Sequence, residues 1–345
     1  MSMRMLGRAA LVLGLAATMF VAAVTAKETL GKPDSQMQAV LDKLSELGGK
    51  PLETLTPAEA RKQPGPADAV KAVLEANGKG VEPEPVGEVK DVTFTSGGTK
   101  LPARVYTPEG EGPFPVLVYF HGGGWVIGSL DAYDASCRAL CNAAGCLVVS
   151  CDYRRAPEHP FPAATDDALA AYQWALEHAA EWNGDVEHVA IGGESAGGNL
   201  AAVTCLRARE EAIDLPVHQL LVYPVTNDKL DTTSYVEHAD AKPLNRVMME
   251  WFFKQYVGSG SLGEAAFPLQ AADLSRLPPA TIITADIDPL RDDGKGYAAA
   301  LEKSGVKVRY KNYAGVTHEF FGMGAVVDKA KEAVEFAAVG VKGGE

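Results

Sequence analysis

Residues 190–200 read AIGGESAGGNL, one serine set among small residues directly after a short apolar run. "VEHVAIGG" before it has the character of a buried strand, and "GNLAAVTCLRAREE" after it has helical spacing. Ser195 therefore falls where a strand turns into a helix. In an open parallel sheet, that is where ligands gather. So sharp a turn forces the serine into a strained backbone and leaves no room for side chains two residues to either side. Gly193 and Gly197 meet that need and complete the pattern G-x-S-x-G. The helix that starts here aims free N–H groups at the site, among them that of Ala196. Glycine makes up 35 of the 345 residues, so this motif alone is only a hint.

The context lies upstream and downstream. "VYFHGGGWVIG" ends an apolar strand at His121 and turns through Gly122, Gly123 and Gly124. Successive glycines let bare amides approach a ligand oxygen, as an oxyanion hole requires. A nucleotide cradle does not fit, because no Lys-Ser/Thr follows and Ile127 stands where a dinucleotide fingerprint has glycine.

A serine attacking an acyl carbon needs a base, and imidazole titrates in the right range. Of seven histidines, His318 in "YAGVTHEFFG" follows the last strand, where this architecture places its base. His178 is mid-helix, His188 and His218 adjoin strands, His159 sits among prolines and His238 in an insertion. His121 fits a structural hydrogen bond to the glycine loop better than proton transfer. A zinc reading of "HEFFG" fails because residue 322 is Gly. The carboxylate that orients the base is expected in "TIITADIDPLRDDG", which offers Asp286, Asp288, Asp292 and Asp293. The first two lie nearest the strand end, and spacing does not separate them. The order Ser, Asp, His is that of a hydrolase on an α/β sheet.

The rest of the chain supports that class. "DVTFTS" and "LPARVYTP" read as an antiparallel pair; "PVLVYF", "CLVVSCDY", "HQLLVYP", "ATIITAD" and "VKVRYKNY" read as further strands separated by helices. That alternation predicts an α/β fold, a mostly parallel sheet with helices on both faces. Two short helical stretches, "MQAVLDKLSELGG" and "PADAVKAVLEANGKG", precede the main body. From Thr226 to about Gln270 no strand is expected, and "NRVMMEWFFKQYV" forms an aromatic amphipathic helix, the signature of a lid or cap. The predicted organisation is a secretory signal over 1–26, N-terminal helices over 27–87 and a catalytic domain over 88–341 with the insertion at about 226–270.

Arg4 and Arg8 before an apolar stretch, with small residues up to Ala26, form the signal pattern and imply export, with an uncleaved anchor as the alternative. The formal charge is -13, or 30 minus 45 after cleavage at Ala26, which disfavours nucleic acid and anionic lipid as partners. Five cysteines, four of them within fifteen residues, read as buried apolar fillers with room for one bridge, not as a disulfide framework or zinc site.

With these motifs in place, the chain resembles the hormone-sensitive-lipase family of α/β-hydrolase esterases, in its bacterial carboxylesterase branch. "VYFHGGGWVIGSLDAYD", "SCDYRRAPEHPFPAATDDA", "GGESAGGNLAAV", "LVYPVT", "LPPATIITADIDPLRDDG" and "YAGVTHEFF" fall in the family's order. The resemblance implies Ser195 as nucleophile, Asp288 as acid, His318 as base, and Gly123, Gly124 and Ala196 as oxyanion donors. It also implies a cap built from the N-terminal helices and the insertion, a small-molecule ester as substrate, and no cofactor or metal. Trp125, Met248, Trp251, Phe252, Tyr256 and Phe320 are the candidates for an acyl pocket. Glu194 stands where the family often has Asp, and Arg155 where Leu is common. Amidase, formamidase or lactonase chemistry on the same triad is the alternative; a non-catalytic receptor on this scaffold is disfavoured by His318.

Overall fold

The computed structural model describes residues 31–257 and 263–343, so the expected signal at 1–26 lies outside the described residues. All elements below fall in one compact unit, Pro33–Glu345. In chain order they are α1 (Ser35–Glu46), a short turn α2 (Pro57–Ala60), α3 (Pro66–Ala76), β1 (Glu88–Ser96), β2 (Thr99–Thr107) and β3 (Phe114–Phe120). Next come α4 (Asp134–Ala144), β4 (Leu147–Cys151), α5 (Ala163–His178), β5 (Gly184–Glu194), α6 (Ala196–Glu210) and β6 (Gln219–Val222). The chain ends with α7 (Thr233–Glu237), α8 (Arg246–Val257), β7 (Ala280–Ile287), α9 (Arg291–Lys303), β8 (Val308–Thr317) and α10 (Asp328–Val341).

The eight strands form one sheet in the order β1-β2-β4-β3-β5-β6-β7-β8. β1 pairs antiparallel with β2, and β2 with β4; all other pairs are parallel. Central strands of such a sheet are buried on both faces, and β3 shows it residue by residue. Val116, Val118 and Phe120 enter one core with α5, α6 and α9, while Leu117 and Tyr119 enter another with α1, α3, α4 and α10. The two-residue period of a strand thus feeds two helical layers. All five cysteines are buried and unbridged, Cys137, Cys141 and Cys146 in the second core, Cys151 and Cys205 in the first.

Between β6 and β7 the described residues contain α7, α8 and two single 3-10 turns, with no strand. Along α8, Met249, Phe252 and Tyr256 recur at helical spacing and are buried in the first core. The N-terminal segment divides. α1 and α3 pack on each other and belong to the second core, whereas the turn at Leu52–Thr54 reaches α8. Asp34 caps α1 by accepting from the Met37 amide at 2.9 Å, and the Asp34 amide donates to the Gly315 carbonyl on β8. α1 is thereby anchored beside the strand that leads to His318.

Candidate active site

β5 ends at Glu194 and α6 begins at Ala196, leaving Ser195 between them at φ 56, ψ -117. A left-handed φ on a non-glycine residue is strained and persists only where its surroundings dictate it. They do so here through glycine. A Cβ on Gly193 would meet the Gly197 and Phe120 carbonyl oxygens at 2.5 Å, and one on Gly197 would stand 1.9 Å from the Phe120 oxygen. The backbone of β3 thus presses directly on the turn.

Ser195 Oγ lies 2.9 Å from His318 Nε2, and His318 Nδ1 lies 2.6 Å from Asp288 Oδ2. The other carboxylate oxygen of Asp288 accepts from the Leu290 amide at 2.9 Å, so both its oxygens are held. All three side chains are buried. Burial alone would depress the proton affinity of His318, but the charge and hydrogen bond of Asp288 outweigh it, and Glu319 and Glu194 add to the pull. The net shift is upward.

The four aspartates after β7 take separate tasks. Asp286 is only partly buried. Asp292 accepts from the Ser234 amide of α7, and Asp293 accepts from the amides of Thr226 and Asn227, where the insertion departs. Desolvation raises Asp293 to about 7.

The glycine loop is shaped as closely as the elbow. Gly123 and Gly124 have φ of 101 and 58; a Cβ on the first would strike the Ile127 carbonyl at 2.4 Å, and on the second the Phe252 ring at 2.3 Å. Among the described residues, no acceptor takes the amides of Gly123, Gly124 or Ala196. Three donors without acceptors among the described residues, two on the glycine loop and one at the elbow, can receive a charged oxygen. His121 braces this loop: its Nδ1 is 2.7 Å from the Gly122 carbonyl, its Nε2 is 3.1 Å from Asp152, and its ring stacks on Tyr153 at 4.5 Å.

The six candidate pocket residues separate into two groups. Trp125 and Tyr256 are fully buried and stack on each other at 4.1 Å, and Phe320 lies buried against Tyr223 and Tyr313. Those three are core. Phe252 is also buried in the first core but covers Gly124 of the glycine loop, and Met248 and Trp251 beside it on α8 keep partial exposure.

Several site residues carried little sequence signal. Glu194, noted in the sequence only as standing where the family often has Asp, is buried and accepts from the phenols of Tyr119 and Tyr223. Desolvation first, then the nearby Glu319 charge, raises it to about 7. Glu319 accepts from Tyr133 Oη at 2.8 Å and stands 3.9 Å from His318 Nε2. Asn199 on α6 donates to the carbonyls of Val225 and Ala266, pinning both ends of the insertion. Tyrosines closing "VLVYF" and "LVYP" were the only available hint, since a phenol at a buried strand end needs a partner. No cluster of three or more His, Cys, Asp or Glu among the described residues is placed to hold a metal.

Comparison with known proteins completes the picture. Residues 117–322 match a family model described as the alpha/beta hydrolase fold. The chain is 44% identical over 241 residues to the carboxylesterase NlhH of Mycobacterium tuberculosis, covering 68% of this chain and 76% of that protein. It is 43% identical to the carboxylic ester hydrolase LipN of the same organism over 68% of this chain and 65% of LipN, just under two thirds of that relative's length. Among solved structures, a hyperthermophilic esterase from Pyrobaculum calidifontis superposes with a TM-score of 0.80 at 37% identity, covering 90% of this chain and 98% of that one. A thermostable esterase from Pseudomonas putida gives 0.80 at 35%, covering 90% and 97%. The family match corrects the narrower resemblance to hormone-sensitive lipase, because the glycine loop, the elbow and the Asp–His pair are demands of the chemistry and do not single out one branch. With the match extending from β3 past His318, the chain belongs to an alpha/beta-hydrolase carboxylesterase family.

Proposed function

We propose that this protein is a serine esterase that cleaves carboxylic esters through an acyl-enzyme, with Ser195 as nucleophile, His318 as base and Asp288 as orienting acid. The observation that carries the reading is the unbroken hydrogen-bond chain from Ser195 Oγ through both nitrogens of His318 to Asp288, together with three amides that find no acceptor among the described residues. As Oγ bonds to the acyl carbon, its proton passes to Nε2 and the carbonyl oxygen becomes an anion facing the amides of Gly123, Gly124 and Ala196. Collapse breaks the bond to the alcohol, which leaves with the proton from Nε2. Water then repeats the sequence on the acyl-enzyme and releases the acid. Asp288 keeps Nδ1–H in place throughout and balances the imidazolium.

The covering of Gly124 by Phe252 supports α8 as a cap above the glycine loop, with Met248 and Trp251 at its edge as the acyl contacts. That close cover favours short to medium acyl chains. The proposal extends to export, on the Arg4 and Arg8 pattern alone; N-terminal sequencing of the exported protein checks it. Ser195→Ala should abolish turnover of a short-chain nitrophenyl ester while the unfolding transition persists. Undiminished hydrolysis by that variant refutes the assignment, and matched ester, amide and lactone substrates separate the bond classes.

A further inference from the structure

We propose that Glu319 is a second carboxylate for His318, a positioning residue that serves the Nε2 side of the imidazole as Asp288 serves the Nδ1 side. The inference rests on the esterase reading above. Its basis is geometric. Glu319 Oε1 lies 3.9 Å from Nε2, the nitrogen that carries the proton between attack and departure of the alcohol, and the same oxygen accepts from Tyr133 Oη at 2.8 Å. The Tyr133 hydroxyl in turn lies where a Cβ on Gly122 would be, 2.4 Å away. One phenol therefore links the glycine loop to the loop bearing the base. Glu319 itself is held at a φ of 69, a left-handed backbone that turns its side chain back along the histidine.

The groups facing this imidazole come from every neighbouring element. Asp288 follows β7, Glu194 and Ser195 close β5, and the Tyr223 ring after β6 lies 4.5 Å from the imidazole. Glu319 is faced by Tyr133 before α4 and by His121 after β3. Glu194 is taken up by two phenols, so it acts on His318 from a distance. Asp288 is fully committed to Nδ1 and Leu290. Among the described residues, Glu319 is the one that brings a carboxylate oxygen to the Nε2 side. A carboxylate at this range favours the protonated imidazole, and its partial exposure, 18% of the side chain, tempers the effect.

Glu319→Gln keeps an acceptor for Tyr133 and removes the charge. The acid limb of kcat/KM for a nitrophenyl ester should move down by about one pH unit, and the plateau kcat should fall several-fold. The Nδ1–H resonance of His318, followed by NMR, should titrate at the same lowered pH. Glu319→Ala, which brings no new group into the site, should move both in the same direction. Glu319→Asp, which restores the charge, should return the limb toward its original position. A limb and a resonance that stay in place in Glu319→Gln or Glu319→Ala overturn the proposal, as does a Glu319→Asp limb displaced as far as that of the amide. Wild-type protein that hydrolyses no ester would remove the esterase reading while leaving the NMR titration to decide on Glu319.

Discussion

Gly197 stands so close to Phe120 that a Cβ built on it would lie 1.9 Å from the Phe120 carbonyl oxygen. The obstacle is backbone in a central strand, so it cannot rotate away as a side chain can. Gly197→Ala should therefore push α6 off β3 and move Ser195 away from His318. The expected result is a loss of about 3 kcal/mol or more in a denaturant titration, beyond the usual range for overpacking. Ester turnover should fall at least about a hundredfold, as expected for a nucleophile displaced by an ångström. Near-normal turnover in a folded Gly197→Ala protein would show that the elbow yields.

Asp167 on α5 is completely buried and takes three donors from Arg154: the backbone amide at 2.9 Å, Nε at 2.9 Å and one terminal nitrogen at 2.6 Å. The next residues hook onto the glycine loop, since Arg155 donates to the Gly128 carbonyl and the Ala156 amide donates to Trp125. Arg154 keeps partial contact with water, so losing its partner costs less than in a fully buried pair. Asp167→Asn should destabilise by about 2 to 3 kcal/mol, which equilibrium unfolding at neutral pH will measure. A change under about 0.5 kcal/mol would place this pair with ordinary surface salt bridges.

The strands were legible because their environment is local. In β3 and β5, apolar runs of the right length end at glycines, and nothing distant is needed to read them. The elbow, the glycine loop and the histidine were legible for the same reason, as each is a contiguous motif. The acid was not. Asp286 and Asp288 are two residues apart at one strand end, so spacing does not separate them; the family resemblance points to Asp288, and the fold brings Asp288 to His318. Glu194 and its phenols were illegible too, because Tyr119 is 75 residues away and Tyr223 is 29 away. The aromatic residues of α8 and the glycine loop show a related limit. A helical period identifies an apolar face without saying whether it meets substrate or, as with Trp125 and Tyr256, another ring. The N-terminal helices show it again, with α1 and α3 joining the second core while the turn at Leu52–Thr54 between them touches α8 of the insertion.

His218 stands just before β6 in a buried position, with Nε2 2.9 Å from Thr281 Oγ1 and with Gly340 of α10 pressed on it. Burial first, and then the Arg309 charge, lower it to about 4. The folded state thus keeps this imidazole neutral while the unfolded chain protonates it near 6.5. Its contribution is fully present above about pH 6.5 and is lost as pH falls to about 4, a span worth roughly 3 kcal/mol. His218→Gln retains an acceptor for Thr281 and cannot titrate. Its stability should fall less steeply between pH 6.5 and 4 than that of the wild type, by urea titration at each pH. Parallel curves would mean that water reaches His218 on acidification.

Glu194 carries the opposite sign. Desolvation and the Glu319 charge raise it from 4.5 to about 7, so its folded form holds a proton more tightly than the unfolded chain does. Stability from this group is complete below about pH 4.5 and is lost as pH rises through about 7. Hydrogen bonds from Ser136 and from the phenols of Tyr119 and Tyr223 to the carboxylate reduce that loss, and burial first, then the Glu194 charge, makes both tyrosines harder to ionise than ordinary ones. An amide at 194 resembles the protonated acid in shape and charge. Glu194→Gln should match the wild type near pH 4.5 and gain on it steadily toward pH 8, as read from unfolding midpoints across that range. The two carboxylates would then no longer share one field, so Glu319 in this variant should hold its own proton less tightly and stay charged to lower pH. A stability difference that does not change with pH would mean that Glu194 has the same proton affinity folded and unfolded, and that its hydrogen bonds from Ser136 and the two phenols fully offset its burial.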